Sequence, residues 1–241
     1  MKVVFQVSRG DALRAREFYQ SRAHTSFVKE RIRRNVEGAR PPRTLDGFWR
    51  AHLSCLLTSQ QRSGPGSPVS KFLRAHRFPV PYEQCHGASD VEEFVRSKLK
   101  RAGGIRLYNN VARFAARNAE WLAIHGWNHV RDRVAPLAHG TASADEERVV
   151  ADYFVGQLHG IGPKQSRNLL QLLGLTKYEV PIDSRVARWL NDFGFPLHVS
   201  ATALGDLSYY HLVSDGFRAL CEAADVYPCV MDAAIFGLPS E

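Results

Sequence analysis

Two side chains with complementary chemistry lie in the second half of the chain. Lys164 follows the run Gly160-Ile161-Gly162-Pro163, and Asp183 follows Val180-Pro181-Ile182. An amine can attack an electron-poor carbon, and an ionised carboxylate stabilises positive charge that develops close to it. Each residue also has a simpler explanation, because a lysine can pair with a phosphate and an aspartate can cap the helix that it opens. The two together are less easily explained by structure alone.

The residues around Lys164 predict two helices joined by a tight turn, since apolar residues recur at the helical period on both sides of the glycine-rich run. Gly160 and Gly162 can adopt backbone angles closed to other residues and let the chain approach a phosphate. Pro163 fits the first turn of a helix, whose free N–H groups and dipole attract an anion. Such a contact would hold DNA of any sequence, because it reads no base. The alternative is a plain helical hairpin with a glycine turn.

Helical periodicity extends through most of the chain, and strand-like alternation is scarce. Helix starts are indicated at Asp46 and at two capping boxes, Ser89–Glu92 and Ser143–Glu146. The Gly- and Pro-rich residues 63–68 and the stretch 76–87 are predicted to be irregular surface connections. The sequence therefore predicts an all-α protein.

We expect two lobes. Residues 45–195 would form a central helical domain with the hairpin and the Lys164–Asp183 pair. Residues 1–44 together with 196–241 would form a second helical lobe, with a basic cleft between the two lobes.

Composition leaves two interpretations open, a protein with a polyanionic partner and a soluble enzyme whose surface is merely basic. The 241 residues include 32 Lys and Arg against 24 Asp and Glu, for a formal net charge of +8. Each phosphate that such a surface neutralises releases counterions, so nucleic acid is a natural partner. The chain has no apolar run long enough for a membrane span, and its four cysteines are far apart without a Cys-x-x-Cys pair. We expect a monomer of the cytoplasm, associated with the nucleoid if the source is a prokaryote.

The hairpin and the pair carry a resemblance. Leu-x-Gly-Ile-Gly-Pro-Lys, ending at Lys164, resembles the helix-hairpin-helix motif of DNA-binding proteins. With Pro-Ile-Asp, ending at Asp183, it resembles the helix-hairpin-helix DNA glycosylases, the superfamily that includes endonuclease III and 8-oxoguanine DNA glycosylase. The resemblance extends from about Phe48 to Phe193. It implies a two-lobed helical fold, with Lys164 as the nucleophile and Asp183 as its catalytic partner.

The resemblance implies a bifunctional DNA glycosylase/AP lyase of base-excision repair. The neutral amine of Lys164 would attack the deoxyribose, form a Schiff base and permit β-elimination of the 3′ phosphate. Asp183 would stabilise the positive charge on the sugar. A monofunctional enzyme would use water and would not require the lysine.

Further residues are implied to contact double-stranded DNA around a damaged base. Gln60 matches best the family position whose side chain enters the DNA stack when a base is flipped out, and Gln61 is a close second; the alternative is an ordinary polar helix end. In the hairpin, the DNA-binding candidates are Gly160, Gly162, Gln165 and Ser166.

The chain also departs from its relatives. Many relatives of endonuclease III hold an iron–sulfur cluster through four closely spaced cysteines, but only Cys221 and Cys229 lie in that region. We therefore expect no cluster and no resident cofactor, although the hairpin carbonyls could bind a monovalent cation. Ser184-Arg185 stands where many members have a residue followed by histidine, so the contacts of Asp183 should differ.

The missing cluster and the spacing of the catalytic pair look more like the 8-oxoguanine branch of the family than endonuclease III, and this resemblance implies an oxidised purine such as 8-oxoguanine as the substrate. The alternatives are an oxidised-pyrimidine glycosylase of the endonuclease III type and a non-catalytic helix-hairpin-helix DNA-binding protein.

Overall fold

The structure is a computed structural model that describes residues 3–38, 44–64 and 66–237. All regular elements in these ranges are helices, so the predicted all-α class is confirmed. No helix within them is both long and apolar enough to cross a bilayer. The α-helices are α1 (Arg9–Arg22), α2 (Ser26–Arg31), α3 (Leu45–Leu57), α4 (Pro68–Leu73), α5 (Tyr82–His86), α6 (Val91–Ala102), α7 (Tyr108–Val134), α8 (Ala144–Gln157), α9 (Pro163–Leu172), α10 (Ser184–Phe193), α11 (Leu207–Ala223) and α12 (Pro228–Phe236).

Short segments of other helical types complete the architecture. A π-helix, Ile32–Val36, continues α2, and 3-10 helices span Ala135–His139 and Ala203–Gly205. Helix α7 is broken at Gly126, which has a φ of 77° and a ψ of 164°.

The predicted helix starts were right in general and shifted in detail. Ser143 and Glu146 form both halves of a capping box, with Ser143 Oγ accepting from the Glu146 N–H and Glu146 Oε2 accepting from the Ser143 N–H. The cap of α6 is Asp90, one residue after the predicted Ser89. The prediction of Asp46 as a cap was wrong: Thr44 caps α3, because the Asp46 carboxylate instead accepts from the Tyr82 N–H.

The stretch 76–87 is not wholly the irregular surface connection that was predicted. It contains α5, and Val80, Tyr82 and Cys85 are buried. Val80 O accepts a hydrogen bond from Trp49 Nε1 at 2.9 Å, so this segment is part of the core. The prediction of an irregular connection at the Gly- and Pro-rich residues 63–68 holds for residues 63, 64, 66 and 67, and α4 begins at Pro68. Pro65 lies outside the described residues.

The chain divides by its contacts into two compact units. The first comprises Met1–Pro41, Pro136–Asp152 and Gly162–Glu241, and the second comprises Pro42–Ala135 and Tyr153–Ile161. The first unit thus holds α9 and α10, which the sequence analysis assigned to the central domain; the proposed domain boundaries stay a prediction.

Each unit has an apolar core. In the first unit the core includes Val180, Ile182 and Val186, which flank Asp183, together with Tyr210 of α11. In the second unit, Phe48 packs against Phe154 with ring centroids 5.7 Å apart.

Candidate active site

The helix–turn–helix predicted around Lys164 is present. Helix α8 ends at Gln157, the chain turns through residues 158–162, and α9 begins with Pro163. Pro163 costs the helix no hydrogen bond there, because the first N–H groups of a helix have no intrahelical acceptor. At the other end, the Leu175 N–H bonds to Leu170 O and the Gly174 N–H to Gln171 O, which ends the helix as expected for a glycine in the left-handed conformation.

The two glycines of the turn differ in backbone conformation and in the space around them. Gly160 has a φ of 76°, and a Cβ there would lie 2.5 Å from the Phe114 ring and 2.9 Å from Leu56 Cδ2. Gly162 has a φ of −88°, which any residue can adopt, and a Cβ there would meet nothing within 4 Å. The expectation of a special backbone angle is therefore right for Gly160 and wrong for Gly162, which instead leaves open space at the start of α9.

The start of α9 offers uncapped N–H groups. Gly162 is the N-cap and supplies no side-chain cap, and the first helical bond is from the Ser166 N–H to Gly162 O at 3.0 Å. The N–H groups of Lys164 and Gln165 consequently have no acceptor inside the helix. Together with the helix dipole, they form the arrangement that binds phosphate at helix starts.

The side chains of Gln165 and Ser166, two residues predicted to contact DNA, make hydrogen bonds within α9. Both residues are buried. Ser166 Oγ donates to Pro163 O at 2.9 Å, and Gln165 Oε1 accepts from Asn168 Nδ2 at 3.3 Å. A role for this part of α9 in DNA binding stays a prediction, and it now concerns the backbone of Gln165.

Asp183 is the N-cap of α10. Its Oδ1 accepts from the N–H groups of Arg185 at 2.9 Å and Val186 at 3.2 Å, and its Oδ2 accepts from Arg185 Nε at 3.0 Å. Burial raises the pKa of this carboxyl, but hydrogen bonding and charge from Arg185, followed by the charge of Lys164, outweigh burial. The pKa is lowered overall, so Asp183 is ionised at neutral pH.

Lys164 and Asp183 stand at the starts of successive helices in the same compact unit. Both residues are partly exposed. The charge of Lys164 lies within electrostatic range of the Asp183 carboxylate. It helps to lower the pKa of Asp183, although its effect is smaller than those of burial and of Arg185. No direct ion pair joins these two described side chains. Their chemical roles stay a prediction, which this arrangement permits.

Arg185 is a site residue to which the sequence analysis assigned no role. Its guanidinium bonds Asp183 and lies 4.0 Å above the centre of the Phe236 ring. Its side chain is 42% exposed, so it can also meet a ligand from solvent. The only signal in the sequence was that an arginine replaces the histidine common in the family that this chain resembles.

The two candidate glutamines near the end of α3 differ sharply. Gln61 is tied down at both ends of its amide: Nε2 donates to Leu57 O at 2.6 Å, and Oε1 accepts from the Arg106 N–H at 2.8 Å. Gln60 is exposed in a left-handed conformation with a φ of 55°. Of these two side chains, that of Gln60 is the more exposed, and the entry of either into a DNA stack stays a prediction.

Leu107 is a further candidate, which the sequence analysis did not single out. It is 40% exposed, has a left-handed φ of 57° and caps the N-terminus of α7. The bond from Arg106 to Gln61 connects its segment to that of Gln60. Gln60 and Leu107, both exposed and both in the left-handed conformation, are therefore the neighbours in sequence of the two residues joined by this hydrogen bond. Such strained conformations concentrate at functional sites.

Within the second unit, a buried amide holds the first residues of the turn. Asn118 Oδ1 accepts from the His159 N–H at 2.8 Å, and Asn118 Nδ2 lies 2.9 Å from His159 O and 2.7 Å from His52 Nε2. Burial lowers the pKa of His52 to about 3, so this imidazole is neutral and accepts from the amide. The backbone before Gly160 is thereby fixed.

A metal centre finds no support in the described part of the chain. No group of three or more His, Cys, Asp or Glu side chains there could hold an ion. His125 and His129 lie on either side of the break at Gly126 with ring centroids 5.2 Å apart, but His129 Nε2 bonds the Tyr153 hydroxyl at 2.6 Å. A monovalent cation at the hairpin carbonyls stays a prediction.

Comparison with known proteins identifies the fold. The sequence matches no family model and no curated protein. Three solved structures resemble it over nearly their full length. The 8-oxoguanine DNA glycosylase of Methanocaldococcus jannaschii has a TM-score of 0.64 at 16% identity, over 93% of this chain and 91% of that chain.

The other two structures agree. The 8-oxoguanine glycosylase/lyase of M. jannaschii in complex with 15mer DNA containing 8-oxoguanine has a TM-score of 0.65 at 15% identity, over 92% of this chain and 94% of that chain. The 8-oxoguanine DNA glycosylase of Thermotoga maritima has a TM-score of 0.64 at 17% identity, over 95% and 96%. The resemblance drawn from the hairpin and the Lys164–Asp183 pair is confirmed at the level of the fold.

Proposed function

We propose that this chain, which has the fold of 8-oxoguanine DNA glycosylases, is a bifunctional DNA glycosylase/AP lyase of base-excision repair. Its substrate would be double-stranded DNA with an oxidised purine, in the first place 8-oxoguanine. The observation that carries the proposal is that Lys164 and the ionised Asp183 stand at successive helix starts within electrostatic range of each other. A DNA complex with 8-oxoguanine among the structural neighbours supports the choice of substrate.

The hairpin would hold the DNA backbone. The free N–H groups of Lys164 and Gln165 and the open space beside Gly162 suit a phosphate oxygen. The net charge of +8 adds an attraction that does not depend on base sequence. Gln60, exposed and free of side-chain hydrogen bonds in the described residues, would fill the gap left by the flipped base.

Base release would proceed by displacement at the sugar. The unprotonated Lys164 amine forms a bond to C1′ as the glycosidic bond breaks, and the base leaves with the bonding electron pair and is protonated. Positive charge builds on the deoxyribose during this step. The Asp183 carboxylate would stabilise that charge, since a fixed anion acts without reorganising solvent. Its lowered pKa suits this role and makes it a poor proton acceptor.

Strand cleavage would follow on the same lysine. The nitrogen lone pair of Lys164 then forms a double bond to C1′ as the C1′–O4′ bond breaks, and O4′ takes up a proton, which leaves a protonated Schiff base on the opened sugar. Removal of a proton from C2′ then expels the 3′ phosphate by β-elimination, and water hydrolyses the Schiff base to free the amine.

A panel of duplexes with one defined lesion each tests the proposed function. The panel contains 8-oxoguanine opposite cytosine, thymine glycol opposite adenine, and the undamaged duplex. Base release and strand nicking are measured separately in single turnovers. We expect release from the 8-oxoguanine duplex, followed by a nick.

The other results have distinct meanings. Release confined to thymine glycol would replace the proposed substrate with an oxidised pyrimidine, as in endonuclease III. Tight duplex binding without release from any lesion would instead assign the chain to non-catalytic helix-hairpin-helix DNA-binding proteins.

A further inference from the structure

The backbone that leads into Asp183 is held by a single hydroxyl. Tyr210 of α11 is fully buried, and its hydroxyl donates to Val180 O at 2.7 Å and accepts from the Ile182 N–H at 2.8 Å. Pro181, between them, has no N–H and a fixed φ. Both bonds therefore act on the short, stiff segment whose next residue is Asp183.

The same tyrosine contacts the residue that anchors the helix of Lys164. Arg167, on α9 three residues after Lys164, lies with its guanidinium 5.0 Å above the centre of the Tyr210 ring. Arg167 is itself fully buried; its Nε donates to Glu179 at 2.9 Å, and its guanidinium forms an ion pair with Asp152 at 2.7 Å.

Glu179 immediately precedes the segment that Tyr210 holds. It is buried, accepts from both Arg148 and Arg167, and its own backbone oxygen accepts from Thr176 Oγ1 at 2.6 Å. Tyr210 thus connects the two helices: its ring contacts Arg167 of α9, and its hydroxyl bonds the backbone just before α10.

We propose that Tyr210 is a positioning residue that sets the Asp183 carboxylate relative to Lys164. The inference rests on the proposed function. Because Tyr210 is fully buried, it would act through its hydrogen bonds to the backbone of Val180 and Ile182. A displacement of about 1 Å in a reacting group can lower a rate by about a hundredfold, so a short rigid tether is a strong determinant of rate.

The test compares Tyr210→Phe with Tyr209→Phe. Tyr209 is the neighbouring residue on α11, and its hydroxyl also makes two backbone bonds, donating to His198 O at 3.0 Å and accepting from the Ser200 N–H at 3.3 Å. The two variants lose the same kind of contact, but only Tyr210 holds the segment before Asp183. Both are checked by circular dichroism and assayed well below the lower melting temperature, with 8-oxoguanine duplex at saturating enzyme.

We expect Tyr210→Phe to lower the single-turnover rate constant of base release by about tenfold or more, while its duplex Kd and the rate of Tyr209→Phe stay within about twofold of wild type. Equal rates for the two variants, or a Tyr210→Phe defect confined to Kd, would overturn the inference. If the wild-type protein releases no base, the proposed function itself fails, and with it the positioning role of Tyr210.

If Tyr210→Phe does not fold, a second variant keeps Tyr210 and removes the Ile182 N–H that donates to its hydroxyl. Replacing the amide of Ile182 by an ester deletes only the N–H that Tyr210 accepts. A slower base release with unchanged Kd supports the proposal, and an unchanged rate contradicts it.

Discussion

Arg185 reaches back over the first turn of α10 and bonds the carboxylate of Asp183, two residues before it, with Nε 3.0 Å from Oδ2. Oδ1 meanwhile caps the helix. One aspartate thus serves as a helix cap and as a fixed negative charge. The structural and catalytic explanations of Asp183 do not compete, because a cap needs an acceptor and the proposed chemistry needs an anion.

Asp183→Asn separates those two roles. Asparagine caps a helix about as well as aspartate, so the fold should persist. Loss of the anion should lower the rate constant of base release by about 10²–10³-fold, the usual effect of removing one stabilising group from a transition state. Asp206→Asn is the matched control, since Asp206 caps α11 through the Tyr209 N–H. Equal rates in both variants would remove Asp183 from the chemistry.

Arg185→Met should change the pH dependence of base release. Burial raises the pKa of Asp183 and Arg185 is the main influence that lowers it, assisted by Lys164. Asp232 is an acidic neighbour of Asp183. Burial raises the pKa of Asp232, the charge of Arg31 lowers it, and the charge of Asp183 raises it by a smaller amount.

The sign follows from these charges. With a lowered pKa, the carboxylate and the stability it contributes persist as pH falls, and are lost only below the ordinary value for aspartate. Without Arg185 the pKa rises, so the rate should begin to fall at a higher pH on acidification. Rates at saturating enzyme over a pH series check this, with the exposed Arg188→Met on the same helix as control. Superimposable profiles for Arg185→Met and wild type would refute it.

The glycines of the turn should respond oppositely to alanine. Gly160→Ala places a side chain in a left-handed conformation, which costs about 1–2 kcal/mol. It also forces Phe114 and Leu56 apart, and such overpacking costs about 1–3 kcal/mol. Gly162→Ala meets no clash but places a poorer N-cap residue at the start of α9, which should cost at most about 1 kcal/mol, and it should weaken duplex binding by filling the space for a phosphate.

Urea unfolding and duplex Kd values measure the two effects. Normal affinity in Gly162→Ala would argue against a phosphate at this position.

Gln60 and Gln61 should also separate. Gln60→Ala should leave unfolding unchanged and reduce base release, because the exposed side chain has no bond to lose within the described structure. Gln61→Ala breaks two bonds that join α3 to the start of α7, at about 0.5–1.5 kcal/mol each. Thermal unfolding and single-turnover rates on the lesion duplex distinguish the variants. A full rate for Gln60→Ala would show that another residue, Leu107 being the nearest candidate, fills the gap.

Local signals predicted much of the site. The order Gly-x-Gly-Pro-Lys fixed the start of α9, and Pro-Ile-Asp fixed the start of α10, because caps and first turns depend on neighbouring residues. Asp46 shows where such signals fail: its carboxylate bonds Tyr82, 36 residues away, and Thr44 caps the helix instead.

The supporting contacts could not be found in the same way. A buried arginine contradicts the usual placement of charge, and Arg167 is tolerated because the carboxylates of Glu179 and Asp152, which lie outside its own helix, are brought to it by the packing. Likewise, nothing local distinguishes Tyr210 from Tyr209. Which of two adjacent tyrosines holds Val180 is decided by tertiary packing alone.

Borohydride trapping tests the central claim, that the amine of Lys164 attacks the sugar. With the 8-oxoguanine duplex, the wild-type chain should yield a covalent adduct, and mass spectrometry of its peptides should place the attachment at Lys164. Lys164→Gln should give no adduct while still binding duplex, and the exposed Lys100→Gln should trap as well as wild type. An undiminished adduct in Lys164→Gln, or base release by wild type without any adduct, would contradict the account.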